Sequence, residues 1–263
     1  MASENYAPVL DAMTWSFSRV NTYCQCPHQF KLCYIDRLKQ TDNAFGQWGS
    51  FCHSIFERYL KGQIELFELA DVYEREYFEK VTLLFPSANF MDLDWYYYDK
   101  GLSVFSSFNG LPDNLEFIAS EQKVFTKING RNFIGYIDVV LRDKADGGLI
   151  IQDFKSKKAF KSKKEQAHYA LQPYLYSHYI KEKYGVYPKM LRFDMFRVGK
   201  IVDIPFVEKD FKKADEWFTN TIDSIYSDKE FKANYDEFFC KNLCGVRGYC
   251  DVCKEMSGKQ KEG

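Results

Sequence analysis

The chain predicts an α/β fold, and three observations carry that expectation. Helical periodicity fills the first hundred or so residues; a run of alternating strands with tight turns begins near Leu115; a helix, a hairpin and a further helix follow from about 166 to 228. Residues 14–36 read as helix broken at Pro27, with Ser16 or Ser18 as the N-cap. Residues 47–62 form a second helix, its apolar stripe made of Phe51, Ile55, Phe56, Tyr59 and Leu60. Periodicity continues through 65–84 and, after the Pro86 break, through about 94–108. From Leu115 the chain reads as a β-meander turning at Asn129-Gly130 and at Lys144–Gly148. A helix at 166–184, a hairpin turning at Gly199-Lys200 and a helix at 208–228 precede a cysteine-rich tail. The last residues, SGKQKEG, read as a frayed end.

At 263 residues, 46% of them apolar, the chain has ample material for a core and no disordered composition. It reads as one domain spanning 1–263, with a helical insertion at about 63–112, a core at about 113–207 and a cysteine-rich segment at about 236–256. A net charge of -1 excludes an overall basic field, so any nucleic-acid contact needs local patches. With no signal pattern and no apolar run near the roughly 20 residues that span a bilayer, a soluble cytoplasmic protein with no membrane partner is expected.

The stretch LIIQDFKSKK sends an apolar strand into an acid and a lysine two residues apart, Asp153 and Lys155. Treating the meander as simple hairpins places Glu121 opposite Asp138, and Asp138 opposite Asp153. Paired residues bring their β-carbons within about 5 Å. Three carboxylates in a row repel one another unless a cation neutralises them, and oxygen donors at that density suit Mg2+ or Mn2+. Beside such a metal a lysine orients a water or stabilises charge on a phosphate, which is the chemistry of hydrolytic phosphoryl transfer. An isolated D-x-K is common, and the bland alternative is strand-end acids paired with lysines.

The eight cysteines fall in two terminal groups, Cys24, Cys26, Cys33 and Cys52, then Cys240, Cys244, Cys250 and Cys253. Within an intracellular protein that distribution suggests metal ligation rather than disulfides. A local four-thiolate Zn2+ site from Cys240, Cys244, Cys250 and Cys253 is the plainest structural reading, though it leaves Cys26 unexplained.

GYIDVV followed by IIQDFKSKK resembles the PD-(D/E)XK nuclease superfamily, with Asp138 as the first acid and Asp153-Phe154-Lys155 as D-x-K. GQWGSFCHSIFE is similar to the G-x-x-x-H helix of the RecB-like branch, LQPYLYSHY to its Q-x-x-x-Y motif, and VNTYCQCPHQFKLCYI with CKNLCGVRGYC to its iron–sulfur members. Those members include AddB-type helicase-nuclease subunits and CRISPR-associated adaptation nucleases. The likeness runs from about Ser16 to Cys250. It implies a restriction-endonuclease-like core, a central mixed sheet flanked by helices, with an iron–sulfur clamp joining the N- and C-terminal segments. It further implies a metal held by His53, Asp138, Asp153 and the Phe154 carbonyl, with Glu121 as an extra ligand. Lys155, Gln172 and Tyr176 would complete the catalytic group, and Cys26, Cys240, Cys244 and Cys250 would hold a 4Fe–4S cluster. The implied activity is a DNA exonuclease acting on single-stranded or free ends, beside a helicase or integrase-type partner.

The chain departs from the pattern in having Asp153 where Glu is common, in lacking G-x-x-x-x-G-K-[ST], and in carrying no recognised motif within 63–112. Without that phosphate-binding motif, ATP-driven unwinding would belong to another protein. The same fold also admits a non-catalytic DNA-binding module, or a zinc-stabilised enzyme acting on RNA or a nucleotide. The lysine run KSKKAFKSKK reads as a phosphate track or as a solvated loop. Phe160, Trp95 and Tyr96–Tyr98 are candidate base-stacking residues or core.

Overall fold

Asn129 and Gly130 both adopt positive φ, 47° and 80°. Two consecutive left-handed residues close the tight hairpin that matches strand twist, which is why an Asn-Gly pair sits there. In a computed structural model describing residues 6–258, this turn joins β1 (Leu115–Ile128) to β2 (Arg131–Asp143). β3 (Leu149–Phe154), β4 (Met190–Met195) and β5 (Lys200–Pro205) complete one sheet of order β1-β2-β3-β4-β5. All neighbours are antiparallel except β3 and β4, which run parallel because a long helix carries the chain back between them. The sheet is therefore mixed, as the family likeness implied.

The helices, in chain order, are α1 (Ala7–Asp11), α2 (Phe17–Gln25), α3 (Pro27–Phe30), α4 (Ala44–Leu60), α5 (Leu69–Lys80), α6 (Leu93–Ser107), α7 (Lys163–Tyr184), α8 (Glu208–Ser227), α9 (Glu237–Asn242) and α10 (Asp251–Gly258). Ser16 caps α2, accepting from the Arg19 N–H, and Ser162 caps α7, accepting from the Glu165 N–H. α4 starts three residues before its predicted Gln47 because the Asn43 side chain caps it, accepting from the Gly46 N–H at 2.9 Å. A π-helical turn, Lys31–Ile35, continues α3 beyond the Pro27 break. The expected frayed tail falls mostly on residues 259–263, which lie outside the described residues.

Two apolar layers sandwich the sheet. One joins α2, α7 and α8 to it through Val20, Leu175, Phe218, Ile151 and Phe193. The other joins α4, α5 and α6 to the opposite face through Trp48, Phe56, Phe105, Val139 and Phe154. The segment expected as an insertion thus packs against the sheet as part of the second layer. Its centre is Tyr73, whose hydroxyl accepts from Trp48 Nε1 and donates to the Tyr97 carbonyl, both at 3.0 Å. Gly101 makes room for that ring: a β-carbon there would stand 2.1 Å from the Tyr73 hydroxyl. Gly101→Ala should therefore cost about 2 kcal/mol or more, by overpacking and by breaking a buried hydrogen-bond pair. Urea unfolding checks it; an unchanged midpoint contradicts this packing.

Candidate active site

Strand register assembles the acids. β1 and β2 pair Ser120 with Val139 and Gln122 with Ile137, so Glu121 lies opposite Asp138. β2 and β3 pair Val139 with Gln152, and the next step brings Asp138 opposite Asp153. The row predicted from turn counting is present. Glu121 departs from regular strand geometry, however, with φ at +47°. Its carboxyl feels burial first and then the charge of Glu57 on α4, both raising its pKa, while Lys61 opposes them. Glu121 is thus an exposed acid at the margin of the site, and Glu57 is a fourth carboxylate that sequence reasoning passed over.

Asp138 Oδ2 accepts from the Phe154 N–H at 2.8 Å and stands 3.5 Å from His53 Nδ1. Burial, then the charge of Asp153, pushes the Asp138 pKa well above the usual carboxylate range. His53 is delivered by α4, where its ring meets Phe154 edge-on at 5.7 Å. Burial lowers its pKa more than Asp153 raises it, so the imidazole is neutral and has a lone pair to give. Asp153 is buried; its Oδ2 lies 2.6 Å from Lys155 Nζ but outside hydrogen-bonding angles, and so has ionic contact without a directional bond. Burial works against the charge on Lys155, yet Asp153 and then Asp138 outweigh it and the ammonium is held. Its Nζ also lies 5.5 Å from the centre of the Tyr169 ring, a wall that no motif announced.

Gln172 and Tyr176 do share a face of α7, and Gln172 Nε2 donates to the Tyr176 hydroxyl at 2.9 Å. Burial raises the Tyr176 pKa, and the charges of Asp153 and Asp138 reach it as well. Gly135 on β2 admits the Tyr176 ring, since a β-carbon there would come within 2.4 Å of it. Gly135→Ala should push Tyr176 off its seat and slow any reaction at the acids. Rates and unfolding curves of one preparation check it, and parental values for both contradict the role.

His53 from α4, two sheet acids with a D-x-K lysine, and a Gln–Tyr pair from α7 thus gather around Asp138 and Asp153. A family model described as the PD-(D/E)XK nuclease superfamily matches residues 14–251. The chain belongs to that superfamily. A solved structure titled "Crystal structure of SSO0001" is similar over 94% of each chain, at 14% identity and a TM-score of 0.35. No curated protein matches the chain.

For a PD-(D/E)XK nuclease, the donors present fit a hard divalent cation. Asp138 and Asp153 supply carboxylate oxygens, and the buried Asp153 Oδ2 has no directional hydrogen bond. Among the described residues no three His, Cys, Asp or Glu side chains close on one point as a finished metal cage. The Lys155 ammonium provides the counter-charge beside Asp153 instead.

The cysteines come together as well. Cys26, Cys240, Cys244, Cys250 and Cys253 line a cavity of about 10 Å³, with Cys33 in the surrounding apolar cluster. None is in a disulfide. Cys26 Sγ accepts from the Gln29 and Asn234 N–H groups, both at 3.4 Å, so it joins the N-terminal helices to the C-terminal segment. Burial raises the Cys253 thiol, and Cys250 and Cys240 raise it further. Burial likewise pushes Cys33 up to about 12. Cys52 lies elsewhere, buried against α5, and Cys24 is exposed near Thr221.

The lysine run is not uniformly solvated. Lys157 pairs with Glu165 at 2.7 Å and covers the Tyr169 ring at 4.3 Å, so it belongs to the site wall. Phe160 packs on Phe193 and Tyr169, and Tyr97 is buried, which removes both as stacking platforms. Trp95 is 57% exposed. Among the described residues no helix is long and apolar enough to cross a membrane.

Proposed function

We propose that this chain is a divalent-metal-dependent deoxyribonuclease of the RecB-like branch, acting as an exonuclease on single-stranded or free DNA ends in recombination, repair or CRISPR-type adaptation. The observation that carries the reading is the Asp138–Asp153 row with Lys155 Nζ at 2.6 Å from Asp153. Asp138, Asp153, the Phe154 carbonyl and His53 would hold Mg2+ or Mn2+, with Glu121 at the margin. The bound cation neutralises negative charge at the scissile phosphate and acidifies a water. Lys155, kept protonated by its two acids, positions that water or balances the charge that develops on the phosphate. Neutral His53 keeps a lone pair toward the acids, and the Gln172–Tyr176 pair steadies the wall behind them. In the same reading Cys26, Cys240, Cys244 and Cys250 carry a 4Fe–4S cluster that clamps the two ends of the fold, with Zn2+ on Cys240, Cys244, Cys250 and Cys253 as the competing arrangement. Cys26 lining the same cavity as the C-terminal cysteines, with an N–H bond from Asn234, supports the first; the space between the thiols is small, so their side chains would spread to admit it. A helicase or integrase-type protein would supply the DNA end.

The test is cleavage of end-labelled oligonucleotides by anaerobically purified protein, with Mg2+ or Mn2+, on substrates with free and with blocked ends. Metal-dependent shortening from free ends is expected. Binding without cleavage under every metal would establish a non-catalytic module instead. Lys155→Ala should lower turnover by about a hundredfold or more while leaving metal affinity equal or slightly raised, because one nearby positive charge is gone. Calorimetric titration checks the second half: metal affinity lost together with Lys155 would make that lysine a structural residue.

Lys158, Lys161, Lys163 and Lys164 remain available to DNA phosphates beside the wall formed by Lys157. For each phosphate that a lysine no longer neutralises, the slope of log affinity against log salt should fall by roughly 0.7 to 0.9. Neutralising these four and finding an unchanged slope returns them to solvent.

A further inference from the structure

A second, larger cavity opens on the other face of the catalytic strand. By strand alternation Asp153 faces the α7 side, while Gln152 and Phe154 face α4 and α6. There they help to line a cavity of about 500 Å³ between the sheet, α4, α6 and the β4–β5 turn. That size lies within the range of small-molecule sites, and the cavity contains none of Asp138, Asp153 or Lys155.

Its walls are flat and aromatic. Phe56 and Phe154 lie face to face with centroids 4.5 Å apart, and Phe108 and Phe196 complete the enclosure. Polar side chains also line this apolar space. The Arg197 Nε–H is buried and makes no hydrogen bond, while its Nη1 is already given to the Tyr97 hydroxyl at 2.6 Å. Asp194 stands opposite Phe154 on the neighbouring strand and lines the cavity, where burial raises its pKa to about 6 against the charge of Arg192. Gln152, 7% exposed, lines the same space with its amide also unbonded, and Lys100 on α6 brings a cation engaged in no ion pair. Arg192 beside them is committed to Asp203 by two bonds of 2.7 and 2.8 Å. The buried Arg197 Nε–H carries a desolvation cost that a ligand acceptor would offset, while the Asp194 carboxylate and Gln152 amide are open to a ligand edge.

From this arrangement we infer that the cavity is a binding site for a purine mononucleotide, guanine in preference to adenine, separate from the catalytic acids. The apolar lining takes a flat ring. A carboxylate accepts from the ring N–H and exocyclic amino group that guanine places side by side, whereas adenine offers an acceptor beside its amino group. Arg197 and Gln152 serve the remaining acceptors of the base, and Lys100 takes the phosphate. The site also touches the catalytic strand directly, since Phe154 lines it with its ring and holds Asp138 with its N–H.

Calorimetric titration with GMP, AMP, CMP and TMP tests this on the full chain, with chelator present so that no nucleotide is held through a metal at the acids. GMP should bind one to one and more tightly than the other three. Arg197→Leu and Asp194→Leu should each weaken it about tenfold or more, as expected for one buried bond to a charged group. Ser103→Trp, placed on α6 at the lining of the cavity, should block it without disturbing the core. Asp153→Asn should leave GMP binding unchanged. No binding by any nucleotide, tighter binding of AMP, CMP or TMP than of GMP, or binding that survives Ser103→Trp and disappears with Asp153→Asn overturns the assignment. Because binding is read directly, a failure here is distinct from a failure of the nuclease reading.

Discussion

Asp153→Asn should remove DNA cleavage by about a thousandfold or more while DNA affinity stays near the parental value. A buried carboxylate that helps to hold a hard cation supplies several kcal/mol of transition-state stabilisation, and each 1.4 kcal/mol is tenfold in rate. In the proposed reading affinity would come chiefly from lysines elsewhere, which the change leaves in place. Folding should also survive, because asparagine is isosteric and Asp138 remains as a counter-charge to the Lys155 ammonium. A variant that binds and cleaves like the parent would mean that the Asp138–Asp153 row is a structural ion-pair cluster.

The second large effect concerns the cysteines. If the proposed cluster is present, anaerobically purified protein should absorb broadly in the visible, and Cys26→Ala, Cys240→Ala, Cys244→Ala and Cys250→Ala should each abolish that absorption, since a cuboidal cluster needs all four thiolates. Each should also destabilise the fold by about 4 kcal/mol or more, because the proposed centre would tie α3 to the segment that follows α8. Cys253→Ala should keep the colour. Colourless parent protein holding one zinc, indifferent to Cys26 and dependent on Cys253, would put the local zinc site in place of the cluster.

What the sequence made legible was whatever short-range geometry determines. Asn129-Gly130 can close only a tight hairpin, so counting outward from it places Glu121 against Asp138. The loop between β2 and β3 is symmetric enough that the same counting reaches Asp153. Ser16 was readable as a cap because its hydroxyl needs only the N–H three residues on. Long-range packing was not readable. Nothing local signals that Gly135 is small for Tyr176, or Gly101 for Tyr73, since each pair is far apart in sequence. Tyr169 under the Lys155 ammonium was invisible for the same reason, and the pairing of Lys157 with Glu165 was hidden because the lysine run reads as a charged loop while Glu165 sits in the first turn of α7. The positive φ of Glu121 is the one place where the counted register held and regular strand geometry did not.

The central claim is that Asp138, Asp153 and Lys155 form a divalent-metal hydrolytic site, and Mn2+ binding followed by electron paramagnetic resonance addresses it most directly. Parent protein and Asp138→Asn would be titrated with Mn2+ and assayed for cleavage of a labelled oligonucleotide in the same samples. The account predicts bound Mn2+ in the parent in proportion to its activity, with both lost in Asp138→Asn. Cleavage that persists after chelation, or equal Mn2+ binding and cleavage in the two proteins, would contradict it.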